Sequence, residues 1–235
     1  MTYVISDLHG YPLEKLIKLL DLAGFGEDDF LYILGDVIDR NGDGGVDILC
    51  WLLNQANAQL ILGNHESMLM ACKFVFDEIT DESIDNLSAE KMNMLDNYMF
   101  NGGDVTLKSL RKLIAQSPDT VLDIFDYLAD APLYEAVSAG GNDYILVHSG
   151  LGHFCKEKKL SEYTSHELLW TRPNFDTVYF DDITTVFGHT PTVYYGNEYR
   201  GKIIKTDTWI NIDAGAAGGE EPVLLCLDDL TEYRL

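Results

Sequence analysis

Five short polar motifs carry most of the side chains in this sequence that could do chemistry. SDLHG holds Asp7 and His9, GDVIDR holds Asp36, Asp39 and Arg40, and GNHE holds Asn64, His65 and Glu66. Further on, VHSG holds His148 and GHT holds His189. Taken singly, each has an ordinary explanation: an Asp after a strand caps a helix or forms a turn, and Asn64 after Gly63 is turn chemistry. Four of the six histidines nevertheless fall inside these motifs, which favours one joint role over several separate ones. His153 and His166 have no such context and are expected to be structural. Carboxylate, imidazole and amide donors without thiolate suit borderline divalent ions such as Mn²⁺, Fe²⁺ or Zn²⁺. Imidazole argues against a pure Mg²⁺ or Ca²⁺ site, since those ions prefer oxygen shells. Asp7, His9, Asp36, Asn64, His148 and His189 are too many ligands for one catalytic ion with open positions. They predict two ions sharing a carboxylate, ~3.5–4 Å apart.

Each motif follows a short apolar run of strand length, at residues 3–5, 30–34, 60–62, 144–147 and 185–187. Helical periodicity fills the first gaps. Pro12 opens one segment, Leu13, Leu16, Ile17, Leu20 and Ala23 form its apolar stripe, and Gly24 closes it. Leu49, Leu52 and Leu53 mark a second. Strand–helix–strand alternation predicts an α/β sheet with right-handed crossovers. Ligands of such sheets bind in the crevice outside the carboxyl ends of the strands, where these motifs lie. Residues 77–128 break the alternation with helical pieces at 90–100, 105–114 and 120–128, parted by Asn101-Gly102-Gly103 and Pro118. They read as a helical insertion within a single domain spanning residues 1–235. Strand signals return at 203–205, 209–212 and 223–227.

The composition limits the partners. The chain has 235 residues, 46% of them hydrophobic, enough for a sizeable core. Sixteen basic against 39 acidic residues give a formal charge of −23, which disfavours nucleic acid and anionic membranes. An anionic substrate then needs local positive charge, which bound metal would supply. Cys50, Cys72, Cys155 and Cys226 form no CxxC pair and are expected to be reduced. Without a signal-peptide pattern or an apolar stretch near the ~18–20 residues of a membrane span, the chain is expected to be soluble, cytoplasmic and monomeric. Asp77, Glu78, Asp81, Glu82 and Asp85 form an acidic run. A helix through residues 68–76 would carry it to the rim of the crevice.

In this order, the five motifs resemble the metallophosphoesterase motifs of the phosphoprotein phosphatase family. The chain is similar to its compact branch, typified by the bacteriophage lambda protein phosphatase, from Asp7 to about Ala216. LLWTRP around Arg172, FNGG around Asn101 and IDAGA around Asp213 also resemble segments of that branch. The resemblance implies a central β-sandwich of mixed sheets flanked by helices. It implies that Asp7 and His9 bind a first metal, that Asp36 bridges, and that Asn64, His148 and His189 bind the second. It makes His65 a general acid oriented by Asp39, and Arg40 and Arg172, beside Asn64, the grip on phosphate. Ser6, Asn41 and Ser149 stand where Gly is usual, and Asn41 is expected to tolerate a left-handed backbone there. The implied activity is hydrolysis of phosphate monoesters by a hydroxide activated at a two-metal centre, with Mn²⁺ the expected metal and Fe or Zn the alternatives. Phosphoserine and phosphothreonine in proteins are the expected substrates, with small phosphoesters also possible. Dinucleoside tetraphosphate hydrolysis is the alternative; there the third motif commonly ends in Asp, and here it ends in Glu66. A metal- and phosphate-binding protein without turnover is the third reading.

Overall fold

The computed structural model describes residues 1–78, 80 and 87–235. Among them, ten strands form two five-stranded mixed sheets. The strands are β1 (Thr2–Ile5), β2 (Phe30–Ile33), β3 (Ala58–Leu60), β4 (Tyr134–Ala139), β5 (Asn142–Val147), β6 (Ile183–Phe187), β7 (Ile204–Lys205), β8 (Trp209–Asn211), β9 (Leu224–Cys226) and β10 (Glu232–Tyr233). The first sheet runs β10-β9-β1-β2-β3 and the second β4-β5-β6-β8-β7. In each, three neighbouring strands are parallel: β1, β2 and β3 in one, β5, β6 and β8 in the other. The remaining strands add antiparallel edges.

The period-two alternation of the strands builds three apolar layers. Val4, Leu225, Leu146, Val186 and Ile210 meet between the sheets. Tyr3, Ile5, Leu31 and Ile33 face the other way, onto Leu16, Leu19, Leu49 and Leu52 of helices α1 (Leu13–Ala23) and α2 (Val46–Leu52). The outer face of the second sheet packs Val147, Phe187 and Trp209 against Leu151, Tyr163 and Tyr179. The chain is thus a β-sandwich flanked by helices, and the five strand ends expected in one open-sheet crevice belong to two facing sheets. β4 carries little apolar signal, and pairing with β5 across Gly140 and Gly141, both left-handed at φ 56° and 81°, is what makes it a strand.

After β3 comes α3 (Asn64–Ala71), which stops at Cys72; Lys73–Phe76 form a separate 3₁₀ turn, so the continuous helix expected over 68–76 does not form. Asp77 and Glu78 of the acidic run are exposed, while Asp81, Glu82 and Asp85 lie outside the described residues. The insertion helices are α4 (Ala89–Phe100), α5 (Asp104–Ile114) and α6 (Pro118–Asp130), close to the expected pieces. Ser88 caps α4 by accepting from Lys91 N at 3.2 Å, and Pro118 opens α6. Tyr98, Leu107, Leu110, Ile124 and Phe125 join the same core as α1 and β2. The last helix, α7 (Ser165–Leu169), is short and capped by Thr164. No described helix is long and apolar enough to cross a membrane.

Leu110 is fully buried in the core that the insertion shares with α1, α2 and β2. Leu110→Ala should lower the stability of the whole chain by about 2–5 kcal/mol in a single denaturant transition. Two separate transitions would mean that the insertion folds independently of the sandwich.

Candidate active site

The five motifs leave the carboxyl ends of β1, β2, β3, β5 and β6 and turn at once. Asp7, His9, Asp36, Asp39, Arg40 and His189 all have left-handed backbone, with φ between 42° and 77°; they are six of the eight such non-glycine residues described. Each costs on the order of 1–2 kcal/mol, so the surrounding structure must hold it. Glu66 supplies much of that hold. One carboxylate oxygen accepts from Val37 N at 2.8 Å and Ile38 N at 3.3 Å, the other from Asp36 N at 2.9 Å and Gly63 N at 3.1 Å. Asp36 returns the favour by accepting from His65 N at 3.0 Å. Gly35 has no room for a side chain, since a Cβ there would lie 2.6 Å from Gly63 Cα and from His148 Nδ1. Asn41 is not left-handed as expected: Asp39 and Arg40 make that turn, and Asn41 Nδ2 donates to Ala217 O at 3.3 Å.

Backbone carbonyls set the tautomers of two histidines. His9 Nδ1 lies 2.9 Å from Ile38 O and His148 Nδ1 lies 2.8 Å from Leu34 O. A carbonyl only accepts, so both Nδ1 atoms carry the proton and both Nε2 atoms keep a lone pair. Those lone pairs face Asp36, at 3.7 Å from Oδ2 and 3.4 Å from Oδ1. Asn64 Oδ1 lies 2.8 Å from His148 Nε2 and 2.9 Å from His189 Nδ1, and His189 Nε2 is buried without a hydrogen-bond partner. Ligand atoms gather in two groups, His9–Asp36–His65 and Asp36–His148–His189, each within 4.8 Å, and Asp36 belongs to both. Asp7 falls in neither group; its two oxygens accept from His189 N at 3.0 and 2.9 Å.

Burial controls the charge of this cluster. It pushes Asp36 well above the usual carboxylate range, with Asp7 and Glu66 adding to the rise. Asp7 rises likewise, first by burial and then by Asp213. Burial lowers His148 to about 3 and takes His9 and His189 well below the usual imidazole range. Neutral imidazoles with inward lone pairs beside buried carboxyls fit a divalent cation at each group.

His65 has a different set of partners. Its Nδ1 lies 2.6 Å from Asp39 Oδ2, and Arg40 Nη2 lies 3.1 Å from its Nε2. Asp39 Oδ1 accepts from Tyr98 OH at 2.7 Å and Thr106 Oγ1 at 2.6 Å, and Thr106 Oγ1 accepts from Asp39 N at 3.0 Å. The insertion helices α4 and α5 therefore hold the Asp39–His65 pair through side chains that no motif announced. Their only sequence signal is a fixed offset from the Asn101-Gly102-Gly103 turn. Gly103 admits Tyr98, whose ring would lie 2.5 Å from a Cβ there.

A cavity of about 110 Å³ opens over the cluster, lined by Asn64, His65, Arg40, Arg172, Trp170 and Asp213, among others. Arg172 donates to Thr190 Oγ1 at 3.0 Å and His189 O at 3.3 Å, with no acidic partner within 4.0 Å among the described residues. Ser149 donates to Leu168 O at 2.8 Å and accepts from Thr171 N at 3.0 Å, tying the end of β5 to the loop that presents Arg172. Burial lifts Asp213 to about 7 against the pull of Arg40 and Arg172. His153 and His166 are exposed and lie outside the cluster.

Two outcomes follow from this geometry. Burial raises the pKa values of Asp7 and Asp36, and both carboxyls must be ionised to hold a cation, so metal uptake is favoured on the high-pH side. Calorimetric titration with Mn²⁺ should give tighter binding at pH 8 than at pH 6, with protons released to buffer; pH-independent affinity without release would contradict it. Glu66→Gln should cost about 1–3 kcal/mol of stability and weaken Mn²⁺ binding, although Glu66 is no ligand. Unchanged affinity would mean that the loops hold without it.

The model of the calcineurin-like phosphoesterase family matches residues 2–211. A symmetrical bis(5'-nucleosyl)-tetraphosphatase of Actinobacillus succinogenes is 38% identical over 90 residues, 37% of this chain and 31% of that protein. The enzyme of the same name from Salmonella typhimurium is 40% identical over 72 residues, 30% of this chain and 25% of the other. The chain thus spans about a third or less of the length of the curated relatives it matches. Among solved structures, a candidate diadenosine tetraphosphatase superposes with TM-score 0.63 at 16% identity, covering 100% of this chain and 92% of its own. A Saccharomyces cerevisiae protein serine/threonine phosphatase gives 0.56 at 15%, covering 95% and 71%. At such identities these likenesses establish the fold alone. The match over residues 2–211, on a sandwich with Asp, His and Asn gathered at its strand ends, identifies the chain as a member of the calcineurin-like phosphoesterase family, hydrolases with a dinuclear divalent metal centre.

Proposed function

We propose that this phosphoesterase hydrolyses dinucleoside tetraphosphates. The observation that carries the reading is the placement of arginine: three of the chain's five, Arg40, Arg172 and Arg200, line the metal pocket or the cavity beside it. A string of phosphates needs a string of cations, and on a chain of charge −23 that local concentration is specific. The names of the curated relatives support the same substrate. The preference for phosphoproteins leaned on Glu66, which does not line the pocket and is spent on backbone amides. Its end-of-motif position therefore reports loop geometry and does not discriminate substrates.

In this reading Asp7, His9 and Asp36 hold one divalent ion, and Asp36, Asn64, His148 and His189 the other, with Mn²⁺ as the proposed metal. Two such ions supply Lewis acidity at phosphorus and an activated water at neutral pH. Arg40 and Arg172 present planar forks to the phosphoryl oxygens, beside Asn64. Arg40 must leave His65 Nε2 to do so, which frees that nitrogen to face the leaving oxygen. Asp39 keeps the imidazole aligned through Nδ1, so His65 can present a proton on Nε2 as general acid.

With Mn²⁺ present, kcat/KM for a dinucleoside tetraphosphate should exceed that for phosphoserine and phosphothreonine peptides. A phosphopeptide preferred at every ionic strength would overturn the substrate. His65→Asn should cost on the order of 10²–10⁴ in kcat on an alkyl phosphate. The loss should be smaller on a dinucleoside tetraphosphate, whose departing nucleoside diphosphate is a stable anion. Equal losses on both would remove His65 from acid catalysis.

A further inference from the structure

We infer that the cavity beside the metal pocket is a nucleoside subsite, with Tyr194 as its stacking face and Arg200 as a polyphosphate clamp. The inference rests on the dinucleotide reading above and gives it a place for the base. The cavity has a volume of about 230 Å³ and is lined by Arg40, Pro191, Val193, Tyr194, Arg200 and Glu220, among others. It shares Arg40, Pro191, Tyr194 and Ala217 with the metal pocket, so the two form one continuous depression.

Tyr194 is 76% exposed, yet it stands on a rigid turn. That turn, Thr192–Tyr195, follows directly from the GHT motif. Thr192 is fully buried; its N donates to Asp213 O at 2.9 Å, and its hydroxyl lies 3.0 Å from Tyr199 O and 2.7 Å from Lys202 O. Tyr195 packs edge-on to Phe175 and donates to Pro173 O at 2.6 Å. Its neighbour Tyr194 is left with no ring contact among the described residues. An aromatic face held in water by an ordered backbone gains by covering itself with a flat ring, and every nucleobase offers one. Pro191 and Val193 supply apolar walls for the same ring.

Arg200 supplies the second half of the recognition. Its Nη1 lies 3.3 Å from Glu220 Oε1, with the two side chains 58% and 36% exposed. So exposed a pair is weak, and phosphate oxygens can take the guanidinium from Glu220 at little cost. Arg200 and Arg40 both line this cavity, and Arg40 and Tyr194 also line the metal pocket, so positive charge and the ring both stand beside the reacting phosphorus. A ring face and two guanidinium groups beside one metal pocket match the base and the phosphates of a nucleoside polyphosphate.

The test is competition against hydrolysis of p-nitrophenyl phosphate by the Mn²⁺-loaded full-length protein, using ADP and inorganic tripolyphosphate as probes. Tyr194→Ala should raise the inhibition constant of ADP about 5- to 150-fold and that of tripolyphosphate much less. Tyr194→Phe should restore the ADP value, since stacking needs the ring and not the hydroxyl. Arg200→Ala should weaken both probes. Equal weakening of both probes by Tyr194→Ala, or no weakening of ADP, would overturn the subsite. So would a phosphopeptide competitor that depended on Tyr194 while ADP did not. These readings need no turnover of the dinucleotide. A wild-type protein that binds ADP through Tyr194 but prefers phosphopeptides as substrates would therefore sink the proposed function and leave the subsite standing.

Discussion

Asp36 has almost no contact with water, and an ionised carboxylate in that position needs a positive partner. Much of the site answers this one requirement. Two imidazole lone pairs face Asp36 because backbone carbonyls take the opposite nitrogen of each ring. Among the described residues no lysine pairs with Asp36, and Arg40, whose charge offsets its burial in part, bonds His65. A bound cation would supply that positive charge and let Asp36 ionise. The two groupings around Asp36 make two divalent ions the natural filling.

Holding acceptors that close together is work for the backbone. Left-handed turns at Asp7, His9, Asp36, Asp39, Arg40 and His189 aim the side chains off the strand ends, and Glu66 knits two of the loops through four amides. The helical insertion has a matching task on the other side. Tyr98 and Thr106 saturate the outer oxygen of Asp39 and leave its other oxygen for His65. The insertion is thereby coupled to the chemistry through hydrogen bonds, and to the fold through Leu110 and Phe125.

Elements whose signals are local could be read directly from the residues. The parallel strands are short apolar runs followed by polar motifs, and the helices of the insertion carry ordinary stripes, caps and breaks. The five motifs also come together at one place, because donors of compatible chemistry cluster behind strand signals. What failed is non-local or depends on backbone angles. Two facing sheets could not be told from one open sheet by periodicity, since each strand looks the same in either; only the resemblance pointed to a sandwich. β4 needs its partner β5 to be a strand at all. The left-handed turn falls on Asp39 and Arg40 and not on Asn41, a choice made by contacts with Gly44 and Gly102. Tyr98, Thr106 and Asp213 reach the site from segments with no motif of their own strength, or one read without a role. Tyr194 is an exposed aromatic that only the shape of the depression singles out.

The central claim is that Asp36 lies between two metal positions. Crystals grown with Mn²⁺ and measured at the manganese absorption edge test it most directly. The account predicts two anomalous peaks that both touch the Asp36 carboxylate, one also touching His9 and the other His148 and His189. A single peak, or two peaks of which one does not touch Asp36, would contradict it.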